Sequence, residues 1–339
     1  GLDARPDIID RRNAQPYEKE IEKVRERIPR TFARYIASGV TSVIDAGGPF
    51  WTFDVRDLAE RIPRAPRVAV AGPLLTNAFP EELQGLEDPP MLRVTTPEEA
   101  LLAVERLLTY KPDMIKIWLV LSERDFDEEM RWTRAVMSAS EAAGVPVMVH
   151  ATQWARARMM VAAGANSLAH SITDAVIDDA TLAMMKKNNV VYIPTLVVDE
   201  SYRQVFARRL KLLDIERRLG DPEAISSLVR VNPVPFEYDM RATTWTRPAP
   251  PTGPNNTAAE NLRRVQRHGV TIAAGSDAGN IGTLHGPALH RELELMVEAG
   301  LTPMQALLAA TRGGARAMQR MHDLGGLEAG KLADLVVPA

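Results

Sequence analysis

Five polar residues stand at or near the ends of short apolar runs in this chain. They are Asp45 in "VTSVIDAGG", Lys116 in "MIKIWLV", His150 in "VPVMVH", His170 in "NSLAH" and Asp277 in "VTIAAGSDAG". Imidazole and carboxylate are natural ligands for divalent metals such as zinc. Two histidines that end consecutive runs, with one helix-length segment between them, point to a joint task. Either alone would equally suit the interior as a hydrogen-bonded ring. Asp277 after Gly-Ser could bind a metal or move a proton, or it could shape a turn and cap the next helix. Asp45 reads as the shaper of its "DAGG" turn and is left out of the site.

Lys116 is the odd member. It is flanked by Ile115 and Ile117 and followed by Trp118, Leu119 and Val120. A buried ammonium without a partner is costly, so the group finds an anion, loses its proton or is chemically changed. A free ammonium in a cation-binding mouth would repel the metal. A neutral amine could attack a carbonyl as a Schiff-base nucleophile. A deprotonated lysine could also add carbon dioxide and become a carbamate, an anionic two-oxygen ligand able to bridge two divalent cations. With two histidines nearby, this third outcome relieves the cost best.

The other four histidines carry less weight. His268 precedes Gly269 at a helix end, where a cation suits the helix dipole. His322 lies beyond the last helix and reads as a surface residue. His285 and His290 in "TLHGPALH" follow the last strand closely enough to touch a substrate, with helix capping or packing as the alternative.

The elements that must hold these residues alternate between β-rich runs and amphipathic helices. A polar helix over 17–38 ends at Gly39, and "TTPEEALLAVERLL" opens a helix with Thr96 as N-cap and Pro97 in its first turn. Strands alternating with helices of this length predict βαβ units and a parallel sheet. Their apolar character without alternation fits strands covered on both faces. Seven strands are legible where a closed (β/α)8 barrel needs eight. The expected repair is a first strand upstream of Gly1. An open doubly wound sheet is the alternative, but no Gly-x-Gly-x-x-Gly follows a strand. Residues 1–320 are thus read as the barrel, with a lid-like insertion at 199–256 whose later part is proline-rich. Residues 321–339 are read as a turn and a further strand.

Bulk properties narrow the partners. A net charge of −3 gives no reason to expect nucleic acid or an anionic membrane surface, and no apolar run approaches a transmembrane length. The absence of cysteine excludes disulfides, thiolate metal sites and a cysteine nucleophile. A cytoplasmic location and a small-molecule substrate are expected. Assembly into a homo-oligomer is left open.

Taken together, "GVTSVIDAGG", "DMIKIWL", "VMVHATQWARARMMVAAGANSLAHS", "GSDAGNIGTLHGPALHRELELMVEAGLTP" and "GGLEAGKLADLVV" resemble the metal-dependent amidohydrolase superfamily, in its imidazolonepropionase-like and prolidase-like branch. The resemblance covers nearly the whole chain. It implies an α/β fold, a (β/α)8 TIM-type barrel, with the first strand and most of a small β-sandwich missing from this chain. It implies one or two divalent metals, zinc foremost. Lys116 matches the carboxylated lysine of a binuclear centre, His150 and His170 match ligands of the second metal, and Asp277 matches the ligand of the first metal that also shuttles a proton. The family's His-x-His pair on the first strand has no counterpart here.

The implied activity is dipeptidase-like hydrolysis of a C–N bond in a small amide: a dipeptide, an N-acyl amino acid or a cyclic amide. Hydroxide held by the metal would attack, with Asp277 as the catalytic acid and base. Tyr202, Arg203 and His285 are candidates for substrate binding, although Tyr202 and Arg203 taken singly read first as surface residues. Two rival readings stay open: a metal-free Schiff-base lyase using Lys116, and a non-catalytic binding barrel.

Overall fold

The computed structural model describes residues 16–79, 83–120, 126–229 and 253–336. Nine short strands lie among them: β1 (Ser42–Asp45), β2 (Arg67–Val70), β3 (Leu74–Thr76), β4 (Met91–Arg93), β5 (Ile115–Trp118), β6 (Val147–His150), β7 (Ser167–Ala169), β8 (Val191–Ile193) and β9 (Thr271–Ile272). The helices are α1 (Tyr17–Ala37), α2 (Thr52–Arg61), α3 (Pro97–Leu108), α4 (Phe126–Ala142), α5 (Trp154–Ala162), α6 (Asp179–Lys187), α7 (Leu196–Phe206), α8 (Asp214–Leu219), α9 (Pro222–Val229), α10 (Asn256–Arg267), α11 (Ala288–Glu298) and α12 (Pro303–Leu308). After α12 the chain makes a π-helical turn, Ala309–Gly313, and a last short helix α13 (Gly314–Ala317). No helix among the described residues is long and apolar enough to cross a membrane.

Every paired strand is parallel. The ladder runs β5-β6-β7-β8-β9, with Trp118 opposite His150, His150 opposite Ala169 and Ala169 opposite Ile193. β1 and β2 pair separately. Asp113 joins the two groups: its amide donates to Val70 O at 3.0 Å, and its carboxylate accepts from Val70 N at 2.8 Å and from Arg56 at 3.0 Å. The resulting order, β1-β2-β5-β6-β7-β8-β9, corresponds to the seven runs read from the sequence. The additional β3 and β4 fall where the sequence reads as a loop. Gly72-Pro73 before β3 and Pro89-Pro90 before β4 read as turn signals, and among the described residues the two strands pair with the ladder only through Leu75 opposite Ile117.

Both strand faces are covered, which explains the lack of alternation. Ile115, Ile117, Val147, Val149, Leu168 and Tyr192 point outward into the main core under the helices. Met114, Met148, Ala169, Val191, Ile193 and Ala273 point inward and fill the base of the barrel. Lys116 shares the inward face, where side chains alternate with those two sets. Local chemistry sets the helix ends. Thr96 Oγ1 accepts from Glu99 N, the Glu99 carboxylate reaches back to Thr95 N, and Gly39 closes α1 at φ 75°.

The insertion opens as helices α7 to α9, which share a small apolar core of Val205, Leu212, Ala224 and Leu228 with Ile281 and Leu284. Residues 230–252 of its proline-rich stretch lie outside the described residues. Near the C-terminus the expected strand does not form over the described part of the segment. Residues 332–336 run without a ladder partner among the described residues, held by side chains instead. Asp334 pairs with Arg67 at 3.3 Å, and Val336 packs on Gly39.

Between β1 and β9 no strand pairing closes the barrel among the described residues. The π turn partly seals the β9 side, because Ala274 N donates to Ala309 O at 3.0 Å. This close approach requires glycine. A Cβ on Gly313 would sit 2.0 Å from Ile272 O, whereas a Cβ on the adjacent Gly314 would meet nothing within 4 Å. Gly313→Ala should therefore destabilise the fold by about 1–3 kcal/mol through overpacking. Gly314→Ala, in helical backbone, should stabilise it by up to about 1 kcal/mol. Urea denaturation of both variants checks the pair; equal effects would mean that the turn is free to move off β9.

Buried Glu292 on α11 accepts from Val197 N at 2.8 Å and so pins the first turn of α7. Burial lifts its carboxyl from the ordinary 4.5 up to about 8. The folded state then holds a proton that the unfolded chain releases above pH 4.5. This contribution to stability is complete below about pH 4.5 and is lost progressively as the pH rises to about 8. Glu292→Gln should flatten the fall in urea midpoint measured between pH 5 and 8.

Candidate active site

The inward face of the ladder delivers the site. Lys116 lies inside β5, His150 ends β6, and His170 and Asp277 follow β7 and β9. All four line one cleft of about 2140 Å³, which opens at the C-terminal ends of the strands and extends along the unsealed flank past α1 and the π turn. The His150 and His170 rings stand 4.4 Å apart, edge to face. His170 Nδ1 is 2.8 Å from Thr195 Oγ1 and 3.9 Å from Asp277 Oδ2. Trp118 leans on His150 at 6.0 Å between ring centroids.

Backbone strain concentrates here. His170, Thr195 and Asp277 have φ of 76°, 46° and 48°, the left-handed region that non-glycine residues seldom occupy. Each follows a strand, and each turns its side chain out of the ladder at that point. Thr195 precedes α7 but gives its hydroxyl to His170 rather than to the helix. Such strain costs of order 1–3 kcal/mol per residue and persists only where the surroundings hold it.

Electrostatics separates the members. Lys116 is 4% exposed, and its ammonium has no hydrogen-bond or ion-pair partner among the described residues. Burial lowers its pKa to about 8, with the Asp277 carboxylate pulling weakly the other way. Burial also lowers His170 to about 3 and His150 well below its usual value, with Lys116 adding to both. The two imidazoles are therefore neutral, with lone pairs available. Burial raises the Asp277 carboxyl, against the attraction of Lys116 and a hydrogen bond from Asn280.

Asp277 Oδ2 accepts from Asn280 Nδ2 at 2.6 Å, and Asn280 Oδ1 accepts from the Tyr202 hydroxyl at 3.1 Å. On the opposite wall, the Tyr35 hydroxyl is 2.9 Å from His285 Nδ1. Burial, Asp45 and Asp277 together hold the Tyr35 phenol well above its usual pKa. Asp45 does accept from Gly47 N, at 3.3 Å, as its turn reading expects. It also faces the cleft, with its carboxyl raised by burial.

Among the candidates for substrate contact, Tyr202, Arg203 and His285 all line the cleft. Arg203 is buried and Tyr202 half-buried. Arg203 is 5% exposed, donates to Gly253 O at 2.6 Å and pairs with Asp199 at 2.9 Å. Outside the cleft, His268 bonds to Asp179 and to its own helix, and His322 is largely exposed. His290 lines the cleft, and its Nε2 donates to Ser38 O at 2.9 Å.

Sequence reading passed over Tyr35, Thr195 and Asn280. Thr195 could have been found by treating the end of "VVYIPT" like the other strand ends. Asn280 carries only its position three residues after Asp277. Tyr35 gives no signal, because it reaches the cleft from a helix 250 residues away from His285 in the chain.

A profile of the amidohydrolase family matches residues 14–338. Over 82 residues the chain is 37% identical to the imidazolonepropionase of Geobacillus sp. (strain WCH70), a match that spans 24% of this chain and 19% of that relative. Among solved structures, it superposes on a putative prolidase from Bifidobacterium longum with a TM-score of 0.64 at 26% identity, covering 91% of this chain and 68% of the other. A Xaa-Pro dipeptidase gives a TM-score of 0.63 at 24% identity, covering 90% and 70%. The ochratoxinase of A. niger gives 0.65 at 19% identity, covering 91% and 67%. The last two likenesses concern the fold, and they agree with a TIM-type α/β architecture. This chain belongs to the amidohydrolase family.

Proposed function

We propose that this chain carries the catalytic barrel of a metal-dependent hydrolase that cleaves the C–N bond of a small amide, such as a dipeptide, an N-acyl amino acid or a cyclic amide. One observation carries the reading: a buried Lys116 with no partner among the described residues shares a barrel face with two neutral imidazoles and a carboxylate.

The donor set fits a divalent ion, zinc first, because it offers imidazole nitrogen and oxygen. Among the described residues no three His, Asp or Glu side chains gather closely enough to hold an ion alone. A carbamate on Lys116 would complete the set. A pKa of about 8 leaves half of the Lys116 side chains neutral at that pH, the form that adds carbon dioxide. His150, His170, Asp277 and the modified Lys116 would then hold one or two ions. When bound, the ion supplies Lewis-acid polarisation of the scissile carbonyl and an acidified water.

The remaining steps belong to side chains. Asp277 Oδ1 has no hydrogen-bond partner among the described residues, so it can take a proton from the attacking water and return it to the leaving nitrogen. His285 reaches the cleft from the loop after Asp277 and is the best placed of the three substrate-binding candidates. Tyr202 and Arg203 also line the cleft, but their polar ends already meet Asn280, Asp199 and Gly253. That arrangement favours support of the wall over direct grip on a substrate carboxylate.

Two measurements test the reading. Protein purified with zinc and bicarbonate should retain about one or two ions per chain, and Lys116→Ala should lower that content sharply. Hydrolysis of Xaa-Pro dipeptides, N-acyl amino acids and cyclic amides should be lost on chelation, and Asp277→Asn should lower kcat by about 10²–10⁴-fold. Turnover that survives complete removal of metal would sink the metal reading. Borohydride trapping of a substrate on Lys116 would replace it with Schiff-base chemistry.

A further inference from the structure

We infer that Asn280 is the positioning residue of Asp277, and that the Tyr202 hydroxyl anchors Asn280, so that α7 of the insertion holds the reacting carboxylate without touching substrate. This rests on the proposed role of Asp277.

The chemistry of the contacts allows one arrangement. A carboxylate only accepts, so the Asn280 edge that faces Asp277 Oδ2 at 2.6 Å must be the NH2. That leaves Asn280 Oδ1 to accept, and the Tyr202 hydroxyl donates to it at 3.1 Å. If the amide turned over, it would place oxygen against carboxylate and lose that bond, while the Tyr202 hydroxyl could rotate to accept from the NH2. The carboxylate therefore sets which way the amide faces, and the phenol holds the amide in its place against the acid.

Asn280 also grips Asp277 at a second point. Its Nδ2 lies 3.2 Å from Asp277 O and its backbone amide 3.3 Å from the same oxygen. One residue thus holds both the carbonyl and the carboxylate of a residue at φ 48°. With Oδ2 holding the amide, Oδ1 is the oxygen without a hydrogen bond among the described residues, so Asn280 biases which oxygen takes the proton. Tyr202 sits on α7, whose first turn is pinned to α11 by Glu292 and whose Glu200 is bound by both Arg291 nitrogens at 2.8 Å. The lock is therefore fastened to a rigid part of the insertion. Partners of this kind, one shell out from a ligand or catalytic group, are worth about 10- to 100-fold in metal affinity or activity.

The test uses Asn280→Ala, Tyr202→Phe and the double variant in the full chain, with three readouts. These are the crystallographic orientation of Asp277, zinc affinity by competition with a chelator, and kcat and KM on whichever Xaa-Pro dipeptide the unaltered protein hydrolyses. Asn280→Ala should turn the Asp277 carboxylate and weaken zinc binding or kcat by about 10- to 100-fold, with KM unchanged. Tyr202→Phe should lower the same quantity less, and the double variant should be no worse than Asn280→Ala. Asn280→Ser, which keeps a donor, should recover part of the loss. An Asp277 carboxylate that stays in place in Asn280→Ala overturns the inference. So does a Tyr202→Phe effect confined to KM, which would make Tyr202 a substrate clamp. If the unaltered protein hydrolyses none of the dipeptides, the functional reading fails there, while the orientation of Asp277 still decides the positioning role.

Discussion

An ammonium group with no partner among the described residues, fixed within a parallel ladder, is the constraint around which this structure is arranged. Lys116 is on the inward face because Ile115 and Ile117 take the outward one. Shifting the strand by one residue would only move Lys116 into the apolar layer under the helices and turn Ile115 and Ile117 into the mouth. The fold therefore carries the cost in the protonation equilibrium. The pKa falls to about 8 and the two nearby imidazoles are pushed to their neutral forms. Each of these changes moves the mouth toward accepting a cation, which a set of ordinary protonated groups would repel.

The second expense is backbone strain at the ends of three consecutive strands of the ladder, β7 to β9. His170, Thr195 and Asp277 are all left-handed, and neighbouring bonds hold each in place. The large apolar layer between strands and helices supplies the stability that such a mouth draws on. Most of its members are fully buried, and a buried Leu or Ile side chain contributes about 1.5–3 kcal/mol. The division of labour is that of a TIM-type barrel, with stability in the outer layer and chemistry at the C-terminal ends of strands.

The insertion and the last helices solve a further problem, which is to hold a mouth whose wall is not hydrogen-bonded all the way round among the described residues. α7 is tied to α11 through Glu292, Glu200 and Arg291, and it reaches Asp277 through Tyr202 and Asn280. On the other side of β9, the π turn places a carbonyl where Ala274 needs an acceptor. Both attachments bear on the strand that delivers Asp277.

What could be read from the sequence was whatever repeats or stands at a regular place. The alternation of apolar runs with capped helices gave the parallel α/β fold, and the ends of those runs gave Lys116, His150, His170 and Asp277, which the fold does bring into one cleft. Period and strand ends are local properties, legible within a few residues. β3 and β4 escaped because Gly72-Pro73 and Pro89-Pro90 beside them read as turn signals, and the pattern expected to be a strand near the C-terminus has no ladder partner among the described residues. Asn280, Thr195 and Tyr35 escaped for a different reason. Their roles consist of distances to partners between 3 and 250 residues away. Only the tertiary structure decides such distances, because hydrogen bonds depend on where the chain has been folded to and not on what lies beside a residue in the sequence.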